Sequence, residues 1–358
     1  MTDELRLSKQ GDWRLVGAEH SVVSLANEYL SYLADRNYSS ETLRTYGFCL
    51  LAFCRWLLGE DISLEEVNTD VLFRFLAACR NAKVPGRPGP NVVRMDGRRA
   101  DGYAARTTNL RLAAISGLFG FWCMRDPAAK NPVPRGKEAR RLSAGERAGL
   151  LSHVARRPRY RSAVRLREPR RLPQSLDRRQ VVALVGSLRT WRDRAIAGLM
   201  LLCGLRAGEV LALQVRDVDI GGRWLLVRGK GSKERRVPLD VDVAGMVQTY
   251  LLAERPQSTV TALFVVAKGP NRGRPLSPAG LRTIFRYHRA KSGVPAGHPH
   301  ALRHTFGTSL AEAGVDLAVM QALLGHAHID TTALYVHLAP AHVKAEFDAA
   351  RARQRSRA

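Results

Sequence analysis

The chain has 358 residues, which is enough for two ordinary domains or one large domain. Hydrophobic residues make up 45% of it and charged residues 25%, a globular composition that argues against a disordered, collagen-like or disulfide-stapled chain. Lysine and arginine outnumber aspartate and glutamate by 25, and an excess of this size predicts a polyanionic partner.

The expected location of the protein follows from what the sequence lacks. No apolar run approaches the roughly 20 residues that a bilayer-spanning helix needs, and the N-terminal residues do not have the pattern of a signal peptide. The five cysteines form no C-x-x-C pair, which is typical of small core residues in a reducing compartment. We therefore expect a soluble cytoplasmic protein without a membrane contact.

The first part of the chain reads as a tail followed by a helical bundle. After an N-terminal tail over residues 1–20, apolar residues at helical spacing predict four amphipathic helices within residues 21–130. Ser63 and Glu66 form a capping-box pattern before the third of these helices. Residues 85–106, rich in glycine, proline and arginine, predict a loop between the third helix and the fourth.

A basic linker over residues 131–174 is expected to separate two domains, with one short helix candidate at 143–156. Its charge run admits two interpretations, a solvated linker or a segment that lies along DNA phosphates. We take these arginines as candidate DNA-binding residues: Arg156, Arg157, Arg159, Arg161, Arg165, Arg167, Arg170 and Arg171.

The remaining residues, 175–358, predict a mixed domain of helices with one β-hairpin. The two strands, Trp224–Val227 and Glu234–Val237, flank a turn in which glycines surround Lys230. A helix is expected at the C-terminal end, over 340–353. The predicted fold class is therefore mainly α with a small β-sheet.

Four short segments of this domain carry chemistry-bearing side chains in a fixed order. They are Gly204-Leu205-Arg206 with Glu209, the Gly-Lys-Gly turn with Lys230, His300 three residues before Arg303, and Leu324-Gly325-His326 followed nine residues later by Tyr335. Each segment alone is weak, because such an arginine is more often a surface residue and such a histidine or tyrosine is more often structural. The evidence for a function is that all four segments occur together and in this order.

Taken together, the four segments resemble the tyrosine recombinases, the phage-integrase and Xer-like family. The resemblance implies a helical core-binding domain followed by an α+β catalytic domain. It also implies cleavage and rejoining of DNA strands through a 3′-phosphotyrosine, without a cofactor or a metal. The catalytic set that it implies is Arg206, Lys230, His300, Arg303, His326 and Tyr335.

Physical chemistry assigns these residues compatible roles. Two guanidiniums, those of Arg206 and Arg303, suit the charge that develops on a five-coordinate phosphorus. Histidine is the side chain that ordinarily exchanges a proton near neutral pH, so His300 and His326 suit proton transfer from Tyr335. A lysine is the better acid for the departing 5′-oxygen because an arginine hardly deprotonates. Lys230 is expected to be the acid that protonates the 5′-oxygen. Glu209 is expected to orient its neighbours, and Lys233 is expected to contact DNA.

The resemblance also implies double-stranded DNA as partner and a homo-oligomer on DNA, a tetrameric synapse in which the C-terminal helix contacts a neighbouring protomer. The alternative is that this helix packs on its own domain. The Gly/Pro/Arg loop and the long basic linker depart from the compact Xer-like pattern. They favour a recombinase of a mobile element, acting in integration, excision or transposition, over housekeeping resolution of chromosome or plasmid dimers.

Two other function classes remain as alternatives. A metal-dependent nuclease or zinc hydrolase would use His300, His304, His326 and His328, but Ala301 stands where an H-E-x-x-H motif needs glutamate. A non-catalytic DNA-binding protein would explain the charge and the helices, yet it would have no use for Tyr335. A covalent protein–DNA product separates this second alternative from a recombinase.

Overall fold

The computed structural model describes residues 5–82, 102–134, 164–168, 175–229 and 234–325. The chain divides into two compact units, Met1–Arg170 and Arg171–Ala358. Within the described residues, the helices and the small sheets confirm the predicted fold class. The domain boundaries expected from the sequence stay predictions.

The N-terminal unit is a helical bundle with a β-hairpin in front of it. The four predicted helices are present, and two aromatic side chains at their centre, Phe53 and Phe119, are fully buried. The elements are β1 (Arg6–Gln10), β2 (Asp12–Val16), α1 (Ser21–Asp35), α2 (Ser40–Gly59), α3 (Thr69–Asn81) and α4 (Ala105–Arg125).

The hairpin β1–β2 replaces part of the expected N-terminal tail. Its strands pair antiparallel, and Leu5 and Leu15 are buried against the helices. The Asn27 side chain of α1 satisfies both backbone polar groups of Leu15, with distances of 2.7 and 2.9 Å. Burial of these leucines holds the segment on the bundle, a contact that local sequence does not reveal.

The third helix begins later than the sequence predicted. Asn68 caps it and accepts the backbone N–H groups of Asp70 and Val71, each at 3.0 Å. The Glu66 carboxylate does accept the Ser63 backbone N–H, but this bond closes a turn that precedes the helix. The capping-box pattern was therefore placed one turn too early, because two candidate caps lie close together.

Both parts of the predicted basic linker that the structure describes pack on the N-terminal unit. Val133 and Val164 are buried in its core. Asn109 of α4 exchanges hydrogen bonds with the Leu166 backbone, at 2.9 Å in both directions. Residues 164–168 are therefore anchored at this point.

The C-terminal unit surrounds a small three-stranded antiparallel sheet. Strand β4 lies in the centre and pairs with β3 and β5. The helices are α5 (Arg178–Ser187), α6 (Trp191–Leu201), α7 (Ala207–Ala212), α8 (Val241–Thr249), α9 (Pro278–Ser292), α10 (Pro299–Glu312) and α11 (Leu317–Leu324), and the strands are β3 (Val218–Asp219), β4 (Trp224–Arg228) and β5 (Glu234–Pro238).

Helix α8 is continued by a π-helical turn, Tyr250–Glu254. Valines and a glycine lower the helix propensity of this segment, but Asp240 caps it and Val243 and Val247 pack against the core. Tertiary packing therefore decides its structure. Across the described ranges, no helix combines the length and the apolar character that a membrane span requires.

Candidate active site

The loop between α6 and α7 brings Arg206 to the start of a helix. Gly204 has a φ of +69°, and a side chain there would collide with the Phe306 ring of α10. The close approach allows the Gly204 carbonyl oxygen to accept a hydrogen bond from the Arg303 guanidinium. One glycine thus joins the two segments that carry the predicted arginines.

Glu209 is the centre of an arginine cluster. Its side chain is only 5% exposed. Its carboxylate accepts the Arg206 backbone N–H at 2.8 Å and the Arg206 guanidinium at 2.8 Å. The Arg303 Nη1 atom lies 3.7 Å from the same carboxylate. The structure therefore places Arg206, Glu209 and Arg303 together, although 94 residues separate Glu209 from Arg303 in the sequence.

The charge state of Glu209 follows from these neighbours. Burial alone would raise the pKa of this carboxyl, but hydrogen bonds from Arg235 and from the Arg206 backbone, with the charges of both arginines, lower the pKa to about 2. Glu209 is therefore ionised at any working pH. It compensates one of the three positive charges around it and leaves an excess of positive charge at the site.

The two predicted phosphate-binding arginines differ in access. The Arg206 side chain is 37% exposed, whereas the Arg303 side chain is 5% exposed. Arg303 lies on α10 and also donates to the Leu324 carbonyl oxygen at the end of α11. Arg206 donates to the neighbouring Gly325 carbonyl oxygen at 3.1 Å.

Arg235 belongs to this cluster and was missed by the sequence analysis. From β5 it makes a double hydrogen bond with Glu209, with Nη1–Oε1 at 2.9 Å and Nη2–Oε2 at 3.0 Å. Its side chain is 15% exposed, and Arg236 beside it is exposed. Strand alternation places Arg235 on the same face as the buried Val237. This alternation could have indicated from the sequence that Arg235 belongs to the site.

His300 lies on the first turn of α10, exposed, three residues before Arg303. Its ring centroid is 6.5 Å from that of His304 on the next turn. Burial, followed by the charges of His300, Arg303 and His298, lowers the pKa of His304 to about 4. His304 is therefore neutral near pH 7 and contributes no charge to the site.

A neutral, partly buried His304 predicts acid sensitivity of the fold. An unfolded histidine titrates near 6.5. Because its folded pKa is depressed to about 4, the stabilisation is complete above pH 6.5 and is lost as pH falls toward 4. We expect His304→Gln to remove up to about 2 kcal/mol of this loss between pH 7 and pH 5, measured by urea unfolding at both pH values. The exposed His300→Gln removes only one of the charges that lower the pKa of His304 and should keep most of the pH dependence, whereas equal pH dependence in parent and His304→Gln would contradict the expectation.

The other candidate residues are only partly covered by the structure. Arg165 forms an ion pair with Glu168 at 3.1 Å, and Arg167 is exposed. Outside the described residues lie Lys230, Lys233, His326, Tyr335, Arg156, Arg157, Arg159, Arg161, Arg170, Arg171 and the predicted helix at 340–353. Among the residues that the structure does describe, no group of three or more His, Cys, Asp or Glu side chains is arranged to hold a metal ion.

Comparison with known proteins adds an independent observation. Residues 174–342 match the model of the phage integrase family, and residues 26–87 match the N-terminal SAM-like domain of phage integrases. Tyrosine recombinase XerC of Mycobacterium bovis (strain BCG / Pasteur 1173P2) is 32% identical over 335 residues, which cover 91% of this chain and 97% of that protein. The chain belongs to the tyrosine recombinase family. The family and the enzyme class predicted from the four segments are confirmed.

Further recombinases support this assignment. Tyrosine recombinase XerC of Mycobacterium sp. (strain KMS) is 34% identical over 349 residues, which cover 93% of this chain and 99% of that protein. The solved structure of XerH bound to a palindromic difH substrate has a TM-score of 0.61 at 19% identity, covering 95% of this chain and 90% of that one. The Tn1549 transposon integrase in complex with circular intermediate DNA has a TM-score of 0.57 at 18% identity, covering 88% and 95%. These two likenesses show a shared fold.

Proposed function

We propose that this tyrosine recombinase cleaves and rejoins double-stranded DNA at specific sites with Tyr335 as the nucleophile. The tyrosine oxygen attacks the scissile phosphorus, the new O–P bond forms, and the bond from phosphorus to the 5′-oxygen breaks. The 5′-hydroxyl of a second strand reverses these steps and rejoins the DNA. The observation that carries the proposal is the shared contact of Arg206 and Arg303 with Glu209.

The arginine cluster supplies what the reaction needs at phosphorus. The transition state carries extra negative charge, and fixed guanidiniums stabilise this charge more strongly in a partly buried site than in water. Glu209 holds Arg206 in place before substrate binds, which reduces the cost of ordering that side chain. We assign the proton of Tyr335 to His300 or His326, and the proton for the 5′-oxygen to Lys230.

Double-stranded DNA is the proposed partner, in the cytoplasm. The net charge of +25 supports this partner, as do relatives that were solved with DNA bound. We propose phosphate contacts for the arginines of residues 156–171 and for Lys233. We also propose that four copies assemble on two sites, with the helix at 340–353 reaching a neighbouring copy.

We propose that the natural reaction is the movement of a mobile element. The departures from the compact Xer pattern at 85–106 and 131–174 support this reaction. The similarity to XerC proteins over nearly the whole chain favours dimer resolution as the second candidate. Sequencing the DNA that becomes covalently attached in host cells separates the two, because element ends and one chromosomal site give different maps.

Covalent trapping tests the proposed chemistry. The mapped site is prepared as a duplex with a nick beside the scissile phosphate, so that the short 5′-hydroxyl fragment diffuses away and the adduct accumulates. We expect a denaturation-resistant adduct that blocks 3′-exonuclease and forms equally well in EDTA. Strand cleavage that leaves no adduct and stops in EDTA would indicate a metal-assisted nuclease, and binding with neither cleavage nor an adduct would indicate a non-catalytic DNA-binding protein.

A further inference from the structure

The last residues of α11 make an unusual set of contacts with the arginine cluster. Their backbone carbonyl oxygens, those of Leu323, Leu324 and Gly325, accept hydrogen bonds from Arg235, Arg303 and Arg206 respectively. Such carbonyls have no partner within the helix and carry the negative end of its dipole. Three guanidiniums thus satisfy one helix terminus, and the next residue along the chain is His326.

Arg235 differs from the other two arginines in how it is held. It binds both oxygens of Glu209 and at the same time donates its Nε–H to the Leu323 carbonyl oxygen at 3.3 Å. A rigid planar guanidinium can join two such partners in one geometry, which a lysine ammonium cannot reproduce. Arg235 therefore connects β5, α7 and the end of α11.

Gly325 shows how closely the end of α11 fits against Arg235. A Cβ atom at this position would lie 2.8 to 3.0 Å from Nη1, Cζ and Nε of Arg235. The residue also has a φ of +58° and ends the helix in the left-handed conformation. Glycine is thus required both by the backbone and by the guanidinium packed on it.

We propose that Arg235 is a positioning residue for strand cleavage. It fixes the Glu209 carboxylate that orients Arg206, and it fixes the end of α11 from which the chain continues to His326 and Tyr335. This proposal rests on the proposed function, since the position of these residues matters only if they act on a phosphate. Displacements near 1 Å in such a site lower a rate by about 100-fold.

The test compares binding and cleavage in Arg235→Lys and Arg235→Gln. We expect single-site DNA affinity within about threefold of the parent, and a first-order adduct-formation rate lower by about tenfold for lysine and about 100-fold for glutamine. Gly325→Ala approaches the same contact from the other side and should also slow cleavage at unchanged affinity. All variants are assayed at a temperature at which circular dichroism shows them folded.

Arg236→Gln is the matched control, because it removes the same charge from the neighbouring, exposed position of β5. It should cleave at the parental rate. Parental rates in the Arg235 variants would overturn the proposal, and so would a rate loss that follows DNA affinity or the unfolded fraction. If the parent chain forms no Tyr335-dependent adduct, the proposed function is overturned instead. The same gel shows this result separately from the rates of the variants.

Discussion

Tyr335→Phe is expected to abolish covalent attachment to DNA and recombination, while binding to a single site stays within about twofold of the parent. The substitution removes one oxygen, the proposed attacking atom, and leaves the ring. No other group on the side chain can take over, so the loss should exceed about 10⁴-fold and reach the detection limit of the assay. The measurement is adduct formation on the nicked duplex, followed by peptide mapping of the adduct.

The control for this prediction is another tyrosine of the same unit. Tyr287 lies exposed on α9, and Tyr287→Phe should form the adduct at the parental rate. An adduct in Tyr335→Phe that maps to a different residue would transfer the nucleophile there and leave the family assignment intact. An adduct that maps to no tyrosine would contradict the phosphotyrosine mechanism itself.

Glu209→Gln is expected to cost about 3 to 5 kcal/mol of unfolding free energy at pH 7. The substitution keeps the shape but leaves three guanidiniums around a buried position without an anion, and breaking a buried pair costs this much. Cleavage should fall with it, because Arg206 loses the partner that orients it. Urea unfolding and adduct formation measure the two effects.

The pH dependence of Glu209→Gln has a definite sign. The carboxyl has a folded pKa of about 2, below the ordinary value of about 4.5, so its stabilisation is complete above pH 4.5 and is lost as pH falls toward 2. Over this pH window the parent should therefore lose about 3 kcal/mol of unfolding free energy. The variant should not show this loss.

A matched control exists on the same sheet. Glu234 pairs with Arg228 at 3.1 Å, but its side chain is 53% exposed, so Glu234→Gln should cost at most about 1 kcal/mol. Equal losses of stability in the Glu209 and Glu234 variants would show that the arginine cluster does not depend on its buried anion.

The order of short motifs was sufficient to predict the family and the fold class. Arg206 and Glu209 lie within one helical turn, and His300 and Arg303 within another, so their local relation follows from helical periodicity alone. The hairpin strands β4 and β5 followed from turn chemistry in the same way. Local physics was enough at these positions because the interacting groups are near neighbours in sequence.

Other features required the tertiary structure. The hairpin over residues 6–16 and helix α8 exist because distant helices bury their apolar faces, which overrides weak local preferences. Arg235 looks like one more basic residue in a highly basic chain until the end of α11 and Glu209 close around it. The sequence by itself determined which chemical groups this protein carries and in what order. Only the fold decided which of the arginines share one buried carboxylate, since that depends on long-range packing and electrostatics.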